Sequence, residues 1–84
     1  MINKKVLKKQ IIYRAMHRGS KEMDILLGNF VKKYINKLGN IDLRDLERLL
    51  IIEDEVIYNW YFEINSNNSI PNTKISTMLK KFKL

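Results

Sequence analysis

Apolar and polar residues along this chain follow the 3.6-residue rhythm of helices, and no segment alternates with period two for long enough to demand a strand. From Asn3 to about His17, Val6, Leu7, Ile11 and Met16 recur near helical spacing with Lys and Gln between them, while Ile12 and Tyr13 widen the apolar face. Gly19 tolerates the left-handed conformation common just past a helix end, and Ser20 is suited to cap the next helix, so a turn is expected there. The clearest helix runs from Lys21 to about Leu38, where Met23, Leu26, Leu27, Phe30, Val31, Tyr34, Ile35 and Leu38 form an unbroken apolar stripe. Gly28 falls on its polar side; it costs up to about 1 kcal/mol relative to Ala if exposed, or marks close approach of another chain.

Gly39 ends that helix. Asp42 then precedes LRDLERLLI, whose buried face is Leu43, Leu46, Leu49 and Leu50, with Asp42 and Asp45 placing acid at the helix start. EDEVIYNWYFEI repeats the device, with Asp54 as cap and Val56, Ile57, Trp60, Tyr61 and Ile64 as the apolar stripe. NSNNSIPN reads as a loop, after which Thr73 caps a last helix that turns Ile75, Met78, Leu79 and Phe82 inward. The expected fold is all-α: a compact bundle of about five short helices, one domain over residues 1–84, with antiparallel neighbours.

Composition narrows what such a bundle does. With 84 residues, 45% of them hydrophobic and 30% charged, the chain buries a modest core and has little depth for a multi-walled active site. No apolar run approaches the roughly 20 residues of a membrane-spanning helix, so no membrane insertion is expected. MINKKVLKKQ carries lysines without an apolar segment or cleavage site after them, which predicts no secretory signal and a cytoplasmic, reducing setting. The absence of cysteine removes disulfides and thiolate chemistry, and a single histidine removes most His-based metal sites and triads. Sixteen Lys and Arg against nine Asp and Glu give a net charge of +7. Such a field attracts polyanions or an acidic protein surface. A small basic nucleic-acid-binding domain is therefore the alternative reading, although the lysines are scattered at chain ends and on solvent faces, where solubility explains them.

Catalytic chemistry finds little footing. Glu22 and Asp24 are two apart on a helix and point to different sides, and Glu53, Asp54 and Glu55 are explained as a cap with dipole-favourable acids. His17 is a candidate acid or base without an evident nucleophile or orienting partner. No phosphate-cradling glycine loop is present, so nothing supports a nucleotide cofactor bound by this chain itself. The aromatic cluster Tyr58, Trp60, Tyr61 and Phe62 divides into Trp60 and Tyr61 on the core face, with Tyr58 and Phe62 opposite as a possible binding rim. Binding to another macromolecule remains.

The charged stretch HRGSKEMD carries basic residues at a helix end and acids at a helix start, as helix dipoles favour, yet that would be served equally by Lys at position 18 or Asn at position 19. RGSKEMDILLGNF has an R-G-x-x-E pattern followed by an apolar helix and resembles the SdhE family, FAD assembly factors of succinate dehydrogenase. LERLLIIEDEVIYNW is similar to that family's second signature, a leucine-rich helix, an acidic turn and an aliphatic and aromatic run ending in Trp, with Asp54 and Trp60 in the matching places and Glu55 where proline is usual. The resemblance implies a helical, non-enzymatic chaperone, monomeric when free, that binds the flavoprotein subunit of succinate dehydrogenase and promotes covalent attachment of FAD to a client histidine. Fumarate reductase flavoproteins are implied as related clients. FAD then belongs to the client, nucleic acid is not an expected partner, and Arg18, Gly19 and Glu22 are the implied client-contacting residues, with Asp24 and His17 beside them. The expectation is that this turn displays Arg18 and Glu22 outward.

Overall fold

The computed structural model describes residues 3–64 and 70–83. Its helices are α1 (Lys4–Met16), α2 (Lys21–Tyr34), α3 (Asn40–Ile51), α4 (Asp54–Phe62) and α5 (Lys74–Lys81), with a 3-10 turn over Ile35–Lys37. Local chemistry sets several of the ends. Asn3 caps α1 by accepting from the Lys5 N–H, and Ser20 caps α2 by accepting from the Met23 N–H at 3.3 Å. Thr73 and Ser76 form a reciprocal capping box at the start of α5. The expected loop NSNNSIPN falls largely on residues 65–69, outside the described residues; Ile70, Pro71 and Asn72 are not helical.

α1 and α2 form an antiparallel hairpin, tied at its open end by the Lys8 ammonium donating to Asn36 Oδ1 at 3.3 Å. α3 packs on α1 and also meets α5. One core cluster joins all five helices: Ile11 of α1, Leu27 and Phe30 of α2, Leu43 and Leu46 of α3, Ile57 of α4, and Ile75 and Leu79 of α5 are fully buried. Burial of each such side chain contributes about 1.5–3 kcal/mol, so the hydrophobic stripes provide the main force holding the helices together. No helix among the described residues is long and apolar enough to cross a membrane.

Several pattern-based expectations change on packing. Val6 and Met16 are exposed, and Ala15 takes the interior position, because α2 comes close to α1 there. The close approach is at Gly28, which is buried rather than polar-facing; a Cβ would lie 3.5 Å from Met16 Cγ, an ordinary contact. α2 stops at Tyr34, but tightening into a 3-10 turn still lets Ile35 and Leu38 reach the core. α3 begins at Asn40 rather than near Asp42. Ile64 is exposed because α4 ends at Phe62, where Glu63 takes a left-handed conformation (φ 56°) and its N–H closes the helix on the Asn59 and Trp60 carbonyls. Trp60 and Tyr61 lie half-buried against the core, while Tyr58 and Phe62 are exposed with ring centroids 4.7 Å apart.

Candidate functional site

The charged turn between α1 and α2 meets the turn between α3 and α4, and one side chain joins them. α3 ends with carbonyls that have no partner within the helix. The Arg18 guanidinium supplies it: Nη1 donates to the Leu50 carbonyl at 2.5 Å and Nη2 to the Ile52 carbonyl at 2.7 Å. Its third donor, Nε, reaches Asp54 Oδ1 at 2.5 Å. Asp54 is the first residue of α4, where the helix dipole favours an anion, and its other oxygen accepts the Gly19 N–H at 2.7 Å. On the α2 side, Asp24 Oδ1 accepts the Arg18 backbone N–H at 2.5 Å. Two acids thus hold the backbone of the turn, and one planar fork satisfies three acceptors from a distant segment.

This arrangement corrects the expected display of Arg18. Its side chain is only 8% exposed and its donors are engaged internally, so the guanidinium faces the fold. Asp24 is likewise directed at backbone within the turn. Asp54 departs from its expected role too: Glu53 occupies the capping position without a side-chain capping bond, and the Asp54 carboxylate crosses to Arg18 and Gly19. The reason for glycine at position 19 also differs from the expected one. No described glycine has a positive φ. Instead, a Cβ at Gly19 would sit 3.2 Å from Asp54 Oδ2, tighter than nine in ten real Cβ contacts and against a carboxylate held on both oxygens.

What the corner turns outward is a different set. Glu22, in the first turn of α2, is exposed and engages in no hydrogen bond or ion pair among the described residues. Gly19 presents bare backbone. His17 is exposed, with Nδ1–H donating to the Tyr13 carbonyl at 2.8 Å and its ring stacked on Tyr13 at 4.0 Å between centroids. That bond leaves Nε2 free to meet a partner. Beside them opens a concavity of about 520 Å³, walled by Tyr13 and His17 on one side and Ile51 and Glu53 on the other, with Gly19 and Asp54 between. The five residues singled out from sequence are therefore brought to one corner but divided: Arg18 and Asp24 support it, while His17, Gly19 and Glu22 form its surface.

Asp54 is the residue of this corner that a one-dimensional reading assigns to the wrong task, since a carboxylate at the start of a helix reads as a cap. Tyr13 and Ile51, 63% and 65% exposed, belong to the same surface and look like ordinary stripe residues in the sequence. The available signal was the pair of resemblance-bearing segments, which are the two turns that meet here.

Comparison with known proteins places the whole chain in a family. A family described as "Flavinator of succinate dehydrogenase" matches residues 9–83. The chain is 43% identical over 54 residues to succinate dehydrogenase assembly factor 2, mitochondrial, of Dictyostelium discoideum, covering 64% of this chain and 38% of that protein. It is 31% identical over 74 residues to the FAD assembly factor SdhE of Acetobacter pasteurianus, covering 88% and 65%. To succinate dehydrogenase assembly factor 2, mitochondrial, of Scheffersomyces stipitis it is 34% identical over 76 residues, covering 86% and 51%. The chain thus spans from about two fifths to two thirds of the length of these relatives. Neither the family description nor these names concern nucleic acid, and no solved structure gives a significant match. With a family match over nearly its whole length, this chain belongs to the family of flavinators of succinate dehydrogenase.

Proposed function

We propose that this chain is a non-catalytic assembly factor that docks on the flavoprotein subunit of succinate dehydrogenase, or a related fumarate reductase flavoprotein, and promotes covalent attachment of FAD to it. The observation that carries this reading is the division at the α1–α2 corner: an exposed Glu22 without partners among the described residues, bare Gly19 backbone and a pinned His17 stand on a base of Arg18 and Asp54. The pinned His17 ring and the held Gly19 backbone are already oriented and lose little entropy on binding, and the exposed Glu22 carboxylate is available to a donor on the client. In this reading Arg18 and Asp24 are positioning residues, and Glu22, His17 and Gly19 meet the client.

The mechanism is a population shift. Covalent flavinylation needs the client's histidine held near the flavin's reactive methyl carbon, and a mobile client spends little time in that geometry. A partner that binds the competent conformer more tightly raises its population about tenfold for each 1.4 kcal/mol of differential affinity, without donating a catalytic group. FAD remains the client's cofactor, the factor is a monomer when free of its client, and its action is in the cytoplasm, although two of the relatives above are named mitochondrial.

Co-expression with a succinate dehydrogenase flavoprotein, followed by flavin fluorescence of the denatured client on a gel, tests this. Glu22→Arg alters an exposed side chain outside the internal bonds among the described residues, and His17→Ala removes one exposed bond to the Tyr13 carbonyl just past the end of α1, so both variants are expected to keep the wild-type helical content. The covalent FAD signal is expected to fall at least about tenfold with Glu22→Arg, the equivalent of roughly 1.4 kcal/mol of differential binding, and by less with His17→Ala. Wild-type covalent FAD with both variants would reject the assignment of this surface.

A further inference from the structure

The net charge of this molecule is concentrated at one end. Lys4, Lys5, Lys8 and Lys9 occupy the first turns of α1, and Lys32, Lys33 and Lys37 lie at the end of α2 and in the 3-10 turn beyond it. The hairpin brings the two groups together, as the Lys8–Asn36 bond shows. These seven lysines equal the whole formal charge of +7; the other nine cations balance the nine acids. There is no acid before Glu22 or between Asp24 and Asp42, and none of the ion pairs among the described residues involves any of the seven. Six of them are exposed and Lys8 is half-buried.

Fold stability does not account for all of this. Lys32 and Lys33 sit in the last turn of α2, where the dipole favours cations. Lys4 and Lys5 sit at the opposite pole: the first turn of α1 contains no acid and places both ammonium groups against the positive end of its helix. The docking corner is at the far end of α1, about 18 Å from Lys5 along the helix axis at 1.5 Å per residue, so a client held there leaves this tip accessible.

We infer that the lysine tip adsorbs to an anionic lipid surface. Residue type decides between polyanions. Directed recognition of carboxylates and phosphates favours arginine, and lysine is depleted from protein–protein interfaces. All seven cations here are lysines, compact hydrated charges on flexible stems that suit a diffuse layer of headgroups. A nucleic-acid strand would also call for a stacking platform, whereas the rings at this end, Tyr34 and Phe82, are half-buried and packed against Phe30 at 5.1 and 5.5 Å between centroids. Exposed Val6 adds an apolar contact beside Lys5.

The test is sedimentation of the full chain with vesicles of phosphatidylcholine, with and without phosphatidylserine. Each lysine near an anionic surface is worth about fivefold in partitioning. The quadruple variant Lys4→Gln, Lys5→Gln, Lys9→Gln, Lys32→Gln is therefore expected to bind phosphatidylserine vesicles at least about a hundredfold more weakly. Wild-type binding should vanish on neutral vesicles. It should also vanish when salt rises from about 0.1 M to about 1 M, shortening the Debye length from about 10 Å to about 3 Å. Covalent FAD on a soluble client should be unchanged in this variant, and Glu22→Arg should leave vesicle binding intact, so the two proposals fail separately. Equal binding to neutral and anionic vesicles overturns the inference, as does duplex DNA competing the protein off the vesicles at physiological salt. A quadruple variant that binds lipid normally but associates more slowly with the flavoprotein overturns it in favour of an acidic protein face.

Discussion

Among the described residues, two helix ends are closed by cations from elsewhere in the chain, and they are closed differently. At the end of α3, Arg18 donates to the Leu50 and Ile52 carbonyls while paired with Asp54, and its side chain is 8% exposed. At the end of α4, Lys80 donates to the Trp60 carbonyl and, at 3.2 Å, to the Tyr61 carbonyl, with its ammonium 4.9 Å from the centroid of the Trp60 ring. Lys80 is 32% exposed, and its carboxylate partner Glu63, 3.6 Å away, is 79% exposed. Both cations satisfy carbonyls that a helix terminus leaves open. Only the arginine does so out of water, through a fork whose three donors are fixed in one plane, so only there does the identity of the cation matter strongly. The difference gives a physical reason for building the corner proposed to dock the client on a buried pair: three donors held in one plane fix the two turns in one geometry.

Breaking the buried pair has the largest expected effect. Arg18→Met removes the cation, strands the Asp54 carboxylate and leaves the Leu50 and Ile52 carbonyls without their donor. One-sided disruption of a buried pair costs about 3–5 kcal/mol, and the partial exposure of Asp54 puts this case near the lower end, about 3 kcal/mol. For a domain of this size that lowers the melting temperature by more than about 10 °C, measurable by circular dichroism. Removing both charges, as in Arg18→Met/Asp54→Met, is expected to lose less than the sum of the single changes, because neither charge is then left unpaired. Additive losses would show that the pair does not act as a unit.

Gly19 ranks next. An alanine Cβ there would press on Asp54 Oδ2 at 3.2 Å, so the carboxylate must move by a few tenths of an ångström against its bonds to Arg18 and to the Gly19 N–H itself. Gly19→Ala is expected to cost about 1–2 kcal/mol, in the range of other small overpacking changes. Because φ is not positive at this residue, the loss comes from the contact and not from backbone strain. Gly19→Ala combined with Asp54→Ala should therefore show no further loss beyond Asp54→Ala alone. A persistent penalty in the double variant would assign the glycine a backbone role instead.

How much of this was legible in the sequence follows from the range of the interactions involved. The Ser20 and Thr73 caps were readable because donor and acceptor lie three residues apart, and the stripes of α2 and α3 because burial repeats with the helix turn. Gly28 and Met16 were misplaced because which flank of a stripe is covered depends on how closely another helix packs. Arg18 was recognisable as part of a motif, but its direction was not, since its acceptors lie 32, 34 and 36 residues away. A charged residue at a helix end reads as solvated unless the segment that dehydrates it is known. Asp54 shows the converse: its local context offers a sufficient role as a cap, and that role conceals the distant one.

The smallest effect is expected at the second helix end, and it is the one that sharpens the contrast. Lys80→Met keeps an unbranched stem against Trp60 but removes the ammonium from the Trp60 and Tyr61 carbonyls. Water can replace it at this half-exposed site, and the pair with exposed Glu63 is worth little. The expected loss is about 0.5–1 kcal/mol, the net value of an ordinary hydrogen bond, with covalent FAD on the client unchanged. Lys80→Arg should be close to neutral, whereas Arg18→Lys should lose about 2 kcal/mol, because one ammonium cannot span acceptors arranged for a planar fork. Thermal melts of these two reciprocal exchanges separate the effects of charge and shape. Equal losses would mean that the α3 end needs only a cation, and the rigid base assigned to the docking corner would lose its physical cause.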